Sequence, residues 1–348
     1  MNNQTPNFDV SVCIANFNGI HLIDPCLASV FSQQTNAIFE IIVHDDASTD
    51  NSANYIESKY PQVKLIRSAE NVGFCISNNR MVAKARGAYI LLLNNDATLF
   101  PDALESLYAH SKQCGNALLG LPQFNAETGE FIDAGSSLDL FFNPVPNAIA
   151  QRPGPVGMII GACLWIPQKI WLETGGFPPL FHTLAEDMYL CCAARLKGYP
   201  SIVLHTSGFK HHVGQSLGGG KLLNRQLKTT LSRRISSERN KTFVMVTTCP
   251  TVLLCLIFPI HCTFLAVEGL ILSLIKGTPR LLREIYLHAI LETWINRRSL
   301  LALRRKTLSR KKISINAYLS PFQVVPHKAR MLIRYGFPEI SSGGGPRP

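Results

Sequence analysis

Apolar and polar positions alternate in blocks along the first 121 residues, as expected for short strands separated by helices. Apolar runs at residues 10–15, 40–44, 63–67 and 88–93 read as strands, because they are short and rich in β-branched or aliphatic side chains. Apolar positions with helical spacing follow at 21–33, 50–59 and 76–85, the second of these helices being capped by Ser48-Thr49-Asp50. Strands alternating with helices of this length predict βαβ units and a parallel sheet.

Polar residues stand where these predicted strands end. Asn16 follows the first strand, Asp45 and Asp46 follow the second, and Asp96 follows the fourth. In open α/β sheets, ligands bind beyond the carboxyl ends of the strands. We therefore expect these four side chains to line a ligand site.

The pattern becomes less regular after residue 121, where Gly, Pro and Asn are frequent. Residues 157–166 and 201–205 are predicted strands, and 185–197 is a predicted helix. Residues 243–267 carry no formal charge and exceed the roughly 20 residues needed to cross a bilayer. Pro250, Pro259 and His261 interrupt that stretch, so a kinked span, a re-entrant segment and a pair of helices on the membrane surface all stay open. The end, SSGGGPRP, is predicted to be disordered.

Charge divides the chain into two regions. Residues 1–220 contain 12 Lys and Arg against 18 Asp and Glu, whereas residues 221–348 contain 22 against 5. Charged residues make up only 16% of the chain and the mean hydropathy is +0.12. We predict one domain over 1–220 and a basic, apolar, membrane-associated region over 221–348. Such a basic region fits phosphate groups of nucleic acid or of anionic lipids.

The cysteines favour a reducing compartment. There are ten, and none forms a CxxC pair, so a zinc site and a disulfide framework are both poor interpretations. The first ten residues, MNNQTPNFDV, lack a basic segment followed by an apolar one, so no secretory signal is predicted. We expect reduced thiols in the cytosol.

Three polar groups are candidates for chemistry, and each has a plainer alternative. Asn94-Asn95-Asp96 after an apolar strand suits a divalent cation that bridges phosphates, although Asn and Asp also end strands in ordinary turns. Glu186-Asp187 at a helix start suits a general base, although acidic residues favour that position in any helix. His211-His212 suits a metal ligand or a surface loop equally well.

The order of five motifs resembles the inverting family-2 glycosyltransferases, and most closely their rhamnosyltransferase-like branch. The motifs are VSVCIANFNG, IIVHDDASTDNS, NVGFCISNNRMVAKARGAYILLLNNDA, GGF with AEDMYLCCAARLKGY, and HHVGQS. The resemblance covers about residues 9–220. It implies an α/β nucleotide-diphospho-sugar transferase fold (A-type glycosyltransferase, Rossmann-like), a nucleotide-sugar donor and a divalent cation, Mg²⁺ or Mn²⁺.

The resemblance also implies roles for the residues of the donor side. Asn94-Asn95-Asp96 occupies the place of the family's DxD motif, with Asn in place of the first Asp, as in rhamnosyltransferase-like members. Asn94 and Asn95 would then touch ribose or phosphate, and Asp96 would bind the metal. The segment around Asn16 and the pair Asp45-Asp46 would line the nucleotide base and ribose, and Asn79 or Arg80 would lie near the donor.

On the acceptor side, the resemblance implies that Asp187 is the catalytic base, with Glu186 beside it. His211 falls where the family often supplies a further metal ligand. Phe181-His182-Thr183-Leu184 lacks the aromatic often seen just ahead of the Glu-Asp pair, and this departure bears on which acceptor is used.

The expected function is therefore an inverting glycosyltransferase on the cytoplasmic face of the inner membrane. It would move a sugar, with rhamnose from dTDP-rhamnose as first choice, to a lipid-linked or glycan acceptor in surface polysaccharide or O-antigen biosynthesis. The alternatives are an inactive nucleotide-sugar-binding scaffold, a nucleotidyltransferase and a nucleic-acid-binding protein. Asp96, Asp187 and His211 argue against the scaffold, and the acceptor-side Glu186-Asp187 pair argues against the nucleotidyltransferase. Because no aromatic platforms are interleaved with the basic clusters, an anionic membrane surface is the expected partner and nucleic acid is not.

Overall fold

The structure is a computed structural model that describes residues 8–147, 155–212, 219–223, 226–309 and 311–341. Contacts divide the chain into two compact units. The first comprises Met1–Ser136, Pro146–Arg195 and Tyr199–His212, and the second comprises Ser137–Val145, Leu196–Gly198 and Val213–Pro348. The predicted disorder of the last eight residues falls almost wholly outside the described residues.

The described residues form the following elements in chain order. The strands are β1 Phe8–Asn16, β2 Phe39–Asp45, β3 Lys64–Arg67, β4 Gly87–Asn94, β5 Ala97–Leu99, β6 Leu118–Gly120, β7 Gln123–Asn125, β8 Phe131–Asp133, β9 Ser136–Asp139, β10 Pro144–Pro146, β11 Cys163–Pro167, β12 Ser201–Val203, β13 Phe209–His211, β14 Gly219–Leu223, β15 Gln226–Thr230, β16 Phe322–Gln323 and β17 Glu339–Ser341. The helices are α1 Ile20–Phe31, α2 Ser52–Lys59, α3 Phe74–Val82, α4 Ala103–Cys114, α5 Gln168–Thr174, α6 Glu186–Leu196, α7 Leu231–Thr248, α8 Thr251–Lys276, α9 His288–Ile295, α10 Arg297–Leu308, α11 Ile315–Leu319 and α12 His327–Tyr335, with a 3₁₀ turn at Pro179–Phe181 and a π-helical turn at Leu282–Leu287.

A seven-stranded sheet forms the centre of the first unit, in the order β12-β6-β11-β4-β1-β2-β3. Its strands are parallel except β11, which runs antiparallel to both β4 and β6, so the sheet is mixed where a parallel sheet was predicted. The central strands are buried on both faces, which is why they read as continuous apolar runs. The predicted α/β alternation over the first 121 residues is confirmed.

A second sheet of the first unit joins residues from distant parts of the chain. Its order is β5-β13-β7-β8, with β13 antiparallel to β5 and parallel to β7. Asp96 directly precedes β5, and His211 is the last residue of β13. In this register His211 pairs with Ala97, which brings its side chain to the carboxyl end of β4.

The prediction of a strand over 157–166 is wrong in its first half, because only Cys163–Pro167 is extended. Side chains of α6 form hydrogen bonds with several backbone groups of the segment that precedes β11. Arg195 donates to the carbonyls of Val156 and Gly157, and Cys191 Sγ accepts from the amide of Ile159 at 3.4 Å. Among the described residues, the rest of this segment forms only single β-bridges, from Met158 to Ser136 and from Pro155 to Ile202, so no continuous strand forms there.

The uncharged stretch over 243–267 is divided between two helices of the second unit. Residues 243–248 form the end of α7, and the helix is interrupted at Cys249-Pro250. The rest of the stretch belongs to α8, which continues through Pro259 to Lys276. By length and composition, α8 is the one described helix that could cross a membrane. All ten cysteines lie in the described residues and all are free thiols, as predicted.

Candidate active site

Asn16 joins the carboxyl ends of three central strands. Its Nδ2 donates to Asp45 Oδ1 and to Ser52 Oγ, both at 2.9 Å, and its Oδ1 accepts from Asn95 Nδ2 at 2.9 Å. Asn16 is almost fully buried, so this amide organises the edge from within. Phe17 follows it with a partly exposed ring, a flat apolar surface at the same edge. The structure thus brings together Asn16, Asp45 and Asn95, three of the residues predicted for the donor side.

The two carboxylates after β2 bind backbone amides. Asp45 Oδ2 accepts from the amide of Ser48 at 3.1 Å. Asp46 accepts from the amides of Val72 and Gly73 at 2.8 and 2.9 Å. Charge-assisted bonds of this kind are about twice as strong as neutral ones. Both side chains therefore position the loops around the predicted nucleotide site.

Asn79 and Arg80, the two alternatives for a donor contact, have different surroundings. Asn79 Nδ2 donates to the carbonyl of Phe177 at 2.7 Å, and Asn79 Oδ1 accepts from the amide of Phe177 at 3.1 Å. Its amide thereby anchors the loop that follows α5. Arg80 is exposed and donates to Ser68 Oγ at 3.0 Å, so its guanidinium remains accessible to a phosphate.

The Asn94-Asn95-Asp96 segment leaves β4 at the sheet edge. The amide of Asn94 donates to the carbonyl of Ala162 at 3.0 Å. Its side-chain Oδ1 is buried and has no hydrogen-bond partner among the described residues. Asp96 is buried, and its Oδ1 lies 3.1 Å from His211 Nε2. The predicted metal pair, Asp96 and His211, is thus in contact, while the amide of His212 donates to the backbone carbonyl of Asp96.

Gln123 of β7 completes this group, and sequence reasoning missed it. Its side-chain Nε2 contacts His211 Nδ1 at 2.8 Å, and its Oε1 is buried with no hydrogen-bond partner in the described chain. If the amide is rotated by 180°, which exchanges its oxygen and nitrogen, Oε1 accepts from Nδ1–H and the imidazole presents the lone pair of Nε2 beside Asp96. A metal-binding histidine commonly has such a partner on its other nitrogen. Only the register of β13 on β7 places Gln123 there, and no local pattern would have found it.

A divalent cation fits this pair. A carboxylate oxygen and an imidazole nitrogen lie side by side in a buried setting, and Gln123 can orient the imidazole. The described residues contain no group of three or more His, Cys, Asp or Glu side chains that could enclose a metal. Mg²⁺ is usually bound through one or two protein carboxylates together with substrate phosphates. The fit is therefore to a metal shared with a diphosphate.

The predicted base begins α6. Asp187 Oδ2 accepts from the amide of Gly161 at 2.9 Å, and its Oδ1 accepts from the amide of Met188 at 2.7 Å. Ala162, next to Gly161, accepts from the amide of Asn94. These two hydrogen bonds connect Asp187, through Gly161 and Ala162, to the end of β4 at Asn94.

Glu186 and Asp187 differ in their hydrogen bonds. Glu186 is buried, and its Oε2 has no partner among the described side chains and backbone groups. Burial, and then the charge of Asp187, raise the pKa of Glu186 to about 8. Asp187 instead accepts two hydrogen bonds from backbone amides. The raised pKa favours the protonated form of Glu186, so Asp187 is the candidate base of the pair.

A strained turn precedes α6, and no sequence pattern predicts it. His182, Leu184 and Ala185 have φ angles of 60°, 71° and 63°. Such angles are rare outside glycine and gather at functional sites. The carbonyl of His182 accepts from the amide of Cys75 at 3.0 Å, and a side chain at Gly73 would collide with the His182 ring. Through Gly73, the Asp46 loop and the turn before Asp187 are connected.

Comparison with known proteins supports a family-2 glycosyltransferase. Residues 11–171, slightly under half of the chain, match the family described as Glycosyl transferase family 2. The chain is 33% identical over 129 residues to the uncharacterized glycosyltransferase YibD of Escherichia coli (strain K12), covering 35% of this chain and 36% of YibD. It is 23% identical over 230 residues to an N-acetylglucosaminyl-diphospho-decaprenol L-rhamnosyltransferase of Mycobacterium tuberculosis, covering 58% of this chain and 74% of that protein. The chain thus spans about a third of the length of YibD.

Solved structures confirm the predicted fold class. A crystal structure of GalNAc-T7 with UDP, GalNAc and Mn²⁺ aligns with a TM-score of 0.55 at 17% identity, covering 69% of this chain and 48% of that one. S. aureus TarS 1-349 in complex with UDP aligns with a TM-score of 0.51 at 14% identity, covering 86% and 88%. The protein has the A-type fold of nucleotide-diphospho-sugar transferases, with a mixed sheet and C-terminal helices. The individual site residues stay predictions.

Proposed function

We propose that this protein is an inverting family-2 glycosyltransferase that uses a nucleotide-sugar donor. The observation that carries the proposal is the placement of two different functional groups at one sheet edge. Asp96 with His211 follows β4, and Asp187 is connected to the same strand end through Gly161. One group suits a diphosphate and the other suits a hydroxyl that must lose its proton.

Asp187 would accept the proton of the acceptor hydroxyl as that oxygen attacks the anomeric carbon. The new bond forms between this oxygen and the anomeric carbon, while the bond from that carbon to the diphosphate oxygen breaks. The nucleoside diphosphate leaves on the face opposite to attack, so the configuration inverts. Asp187 is held for this role by two backbone amides, and a positioned base typically contributes about 10²–10⁴-fold to the rate.

Asp96 and His211 would hold the divalent cation, Mg²⁺ or Mn²⁺. When bound, the cation would neutralise charge on the leaving diphosphate. The chain's own part is to keep the two ligands adjacent, with Gln123 orienting the imidazole and the backbone of His212 fixing Asp96. The exposed guanidinium of Arg80 would add a further cation near the donor.

For the substrates, rhamnose from dTDP-rhamnose remains our first choice, with a lipid-linked or glycan acceptor in surface polysaccharide biosynthesis. The similarity to a mycobacterial rhamnosyltransferase supports this choice, at 23% identity. We place the protein on the cytoplasmic face of the inner membrane, against an anionic surface. Ten free thiols and the basic composition after residue 220 support that location.

A donor screen tests the proposal. Purified full-length protein with Mn²⁺ is given dTDP-rhamnose, UDP-glucose or UDP-N-acetylglucosamine, together with a synthetic N-acetylglucosaminyl-diphospho-polyprenol. We expect release of nucleoside diphosphate with one donor, a product of inverted configuration by NMR, and loss of both in Asp187→Asn. Binding of donors without turnover would favour the inactive scaffold, and formation of nucleoside triphosphate and sugar 1-phosphate when pyrophosphate is added to a donor would favour a nucleotidyltransferase.

A further inference from the structure

Helix α8 has two chemically different faces. From residue 252 to residue 275 the exposed face carries no charged side chain; its members are Val252, Cys255, Leu256, Pro259, Ile260, Thr263, Phe264, Val267, Leu270, Ile271, Leu274 and Ile275. We call this the α8 face. The opposite face packs within the second unit through residues such as His261, Leu265 and Gly269. Because it recurs every three or four residues over 24 positions, the α8 face is a continuous stripe about 35 Å long.

The exposure of the α8 face is too extensive for a helix in contact with water alone. Leu256, Phe264 and Leu274 are 64%, 51% and 72% exposed. A second apolar stripe follows near and on α9, where Leu287, Leu291, Trp294 and Ile295 are exposed. Contiguous apolar surfaces of this kind mark contacts with another molecule or with lipid.

The buried side of α8 carries charge. Glu268 of α8 pairs with Arg234 of α7 and with Lys328, whose Nζ lies 2.7 Å from Glu268 Oε2. Glu238 of α7 is 1% exposed and pairs with Lys328 at 2.8 Å and Lys241 at 3.2 Å. A helix crossing the bilayer would bring this network into hydrocarbon.

The cost of that arrangement argues against a span. Helix α7 alone carries five charged side chains, and each charge at the bilayer centre costs at least about 2.5–3.5 kcal/mol. The ion-pair network of the second unit is therefore expected to face protein and water and not hydrocarbon. The α8 face therefore suits hydrocarbon, whereas the charged side of the helix suits protein and water.

We propose that α8 lies in the plane of a single leaflet, with the α8 face among the acyl chains and the charged side toward the cytosol. The partner is a bilayer that contains anionic lipid. This inference rests on the membrane location in the proposed function and specifies how α8 meets the bilayer, and it depends on no catalytic step. It also resolves the three arrangements left open by the sequence in favour of a helix on the membrane surface.

Charge complementarity selects a membrane over a second copy of this chain. Between residues 276 and 312 there are eleven Lys and Arg against two Glu. Lys276, Arg280, Arg283, Arg297 and Arg298 in this segment are exposed. Each such cation contributes about 1 kcal/mol near an anionic leaflet. A second copy would instead bring like charges toward one another.

Depth measurement in vesicles tests the proposal. The full-length chain, with Cys114 and Cys262 replaced by Ser, is labelled at exposed Cys255 with an environment-sensitive fluorophore. Phe264→Cys and Leu274→Cys in a background that also carries Cys255→Ser supply two further positions. Lipids with a quencher near the headgroup or at the bilayer centre report depth in vesicles with 30% phosphatidylglycerol. We expect equal, shallow depth at all three positions, whereas a spanning helix would place one deep and the others shallow and would overturn the proposal.

Flotation with the same vesicles supplies the matched comparison. Leu274→Glu should reduce vesicle binding at least tenfold. The control Leu172→Glu should not, since Leu172 is 70% exposed on α5 in the other unit. Circular dichroism and nucleoside-diphosphate binding should be unchanged in both variants, which separates this test from that of catalysis. Equal vesicle binding by Leu274→Glu and the unsubstituted chain would refute a lipid-facing α8. So would a protein that forms a dimer in detergent-free buffer and does not bind vesicles.

Discussion

Replacing Glu186 by Gln should make the stability of the first unit less dependent on pH. In the unfolded chain this carboxyl ionises near 4.5, whereas burial and the neighbouring Asp187 raise its pKa in the folded protein to about 8. Between these values the folded state binds more protons than the unfolded state, so raising the pH destabilises the fold. The loss begins near pH 4.5 and is complete above about pH 8.

The size of the effect follows from the difference between the two pKa values. At 1.36 kcal/mol per pH unit, the free energy of unfolding should fall by roughly 3–5 kcal/mol across this window. Glutamine has nearly the same volume and does not titrate. Any unsatisfied amide that glutamine introduces changes the free energy of unfolding equally at every pH. The pH-dependent part of the difference between the variant and the unsubstituted protein therefore reports the ionisation of Glu186.

Urea denaturation at pH 5, 6, 7, 8 and 9 measures this difference. We expect Glu186→Gln to gain stability relative to the unsubstituted chain as the pH rises from 5 to 8. The matched control is Glu127→Gln, which alters an exposed glutamate of the same unit and should give no such trend. Parallel stability curves for Glu186→Gln and the unsubstituted protein would show that Glu186 is ionised in the folded state, and the assignment of roles within the pair would fail.

Three further substitutions test the site. Asp187→Asn should lower turnover about 10²–10⁴-fold and leave nucleoside-diphosphate binding by calorimetry unchanged, because only the proton acceptor is lost. Asp96→Ala should abolish the Mn²⁺-dependent part of that binding, and His211→Ala should weaken it more than His212→Ala, since only His211 faces Asp96. Gln123→Leu should lower the Mn²⁺ affinity about 10–100-fold, whereas Gln123→Glu, which retains an acceptor for Nδ1–H, should restore most of it.

Each contrary outcome would remove the role proposed for one residue. Near-normal turnover in Asp187→Asn would require another base, and metal-independent binding that survives in Asp96→Ala would remove the metal role. A larger effect at His212 than at His211 would move the ligand by one position. Mn²⁺ affinity is measured by electron paramagnetic resonance. Equal affinity in Gln123→Leu and the unsubstituted protein would show that Gln123 is only a packing residue.

The sequence by itself determined the alternation of β1–β4 with α1–α3 in the first unit. Central strands covered on both faces must be apolar throughout, so residues 10–15 and 88–93 were visible as strands without any knowledge of their partners. The same logic placed Asp96 at a strand end and Asp187 at a helix start, because those positions are defined by local pattern. Local periodicity carries that information reliably.

Tertiary structure alone decided which partner each polar group has. The sequence could not predict that Asn79 bonds Phe177, that Asp46 bonds the amides at 72–73, or that Gln123 supports His211. Nor could it predict that side chains of α6 replace strand partners before β11, or which side of α8 is charged. Each of these depends on a hydrogen bond or an ion pair between residues far apart in the chain. Such contacts are set by how the elements pack, whereas a local pattern encodes only which elements form.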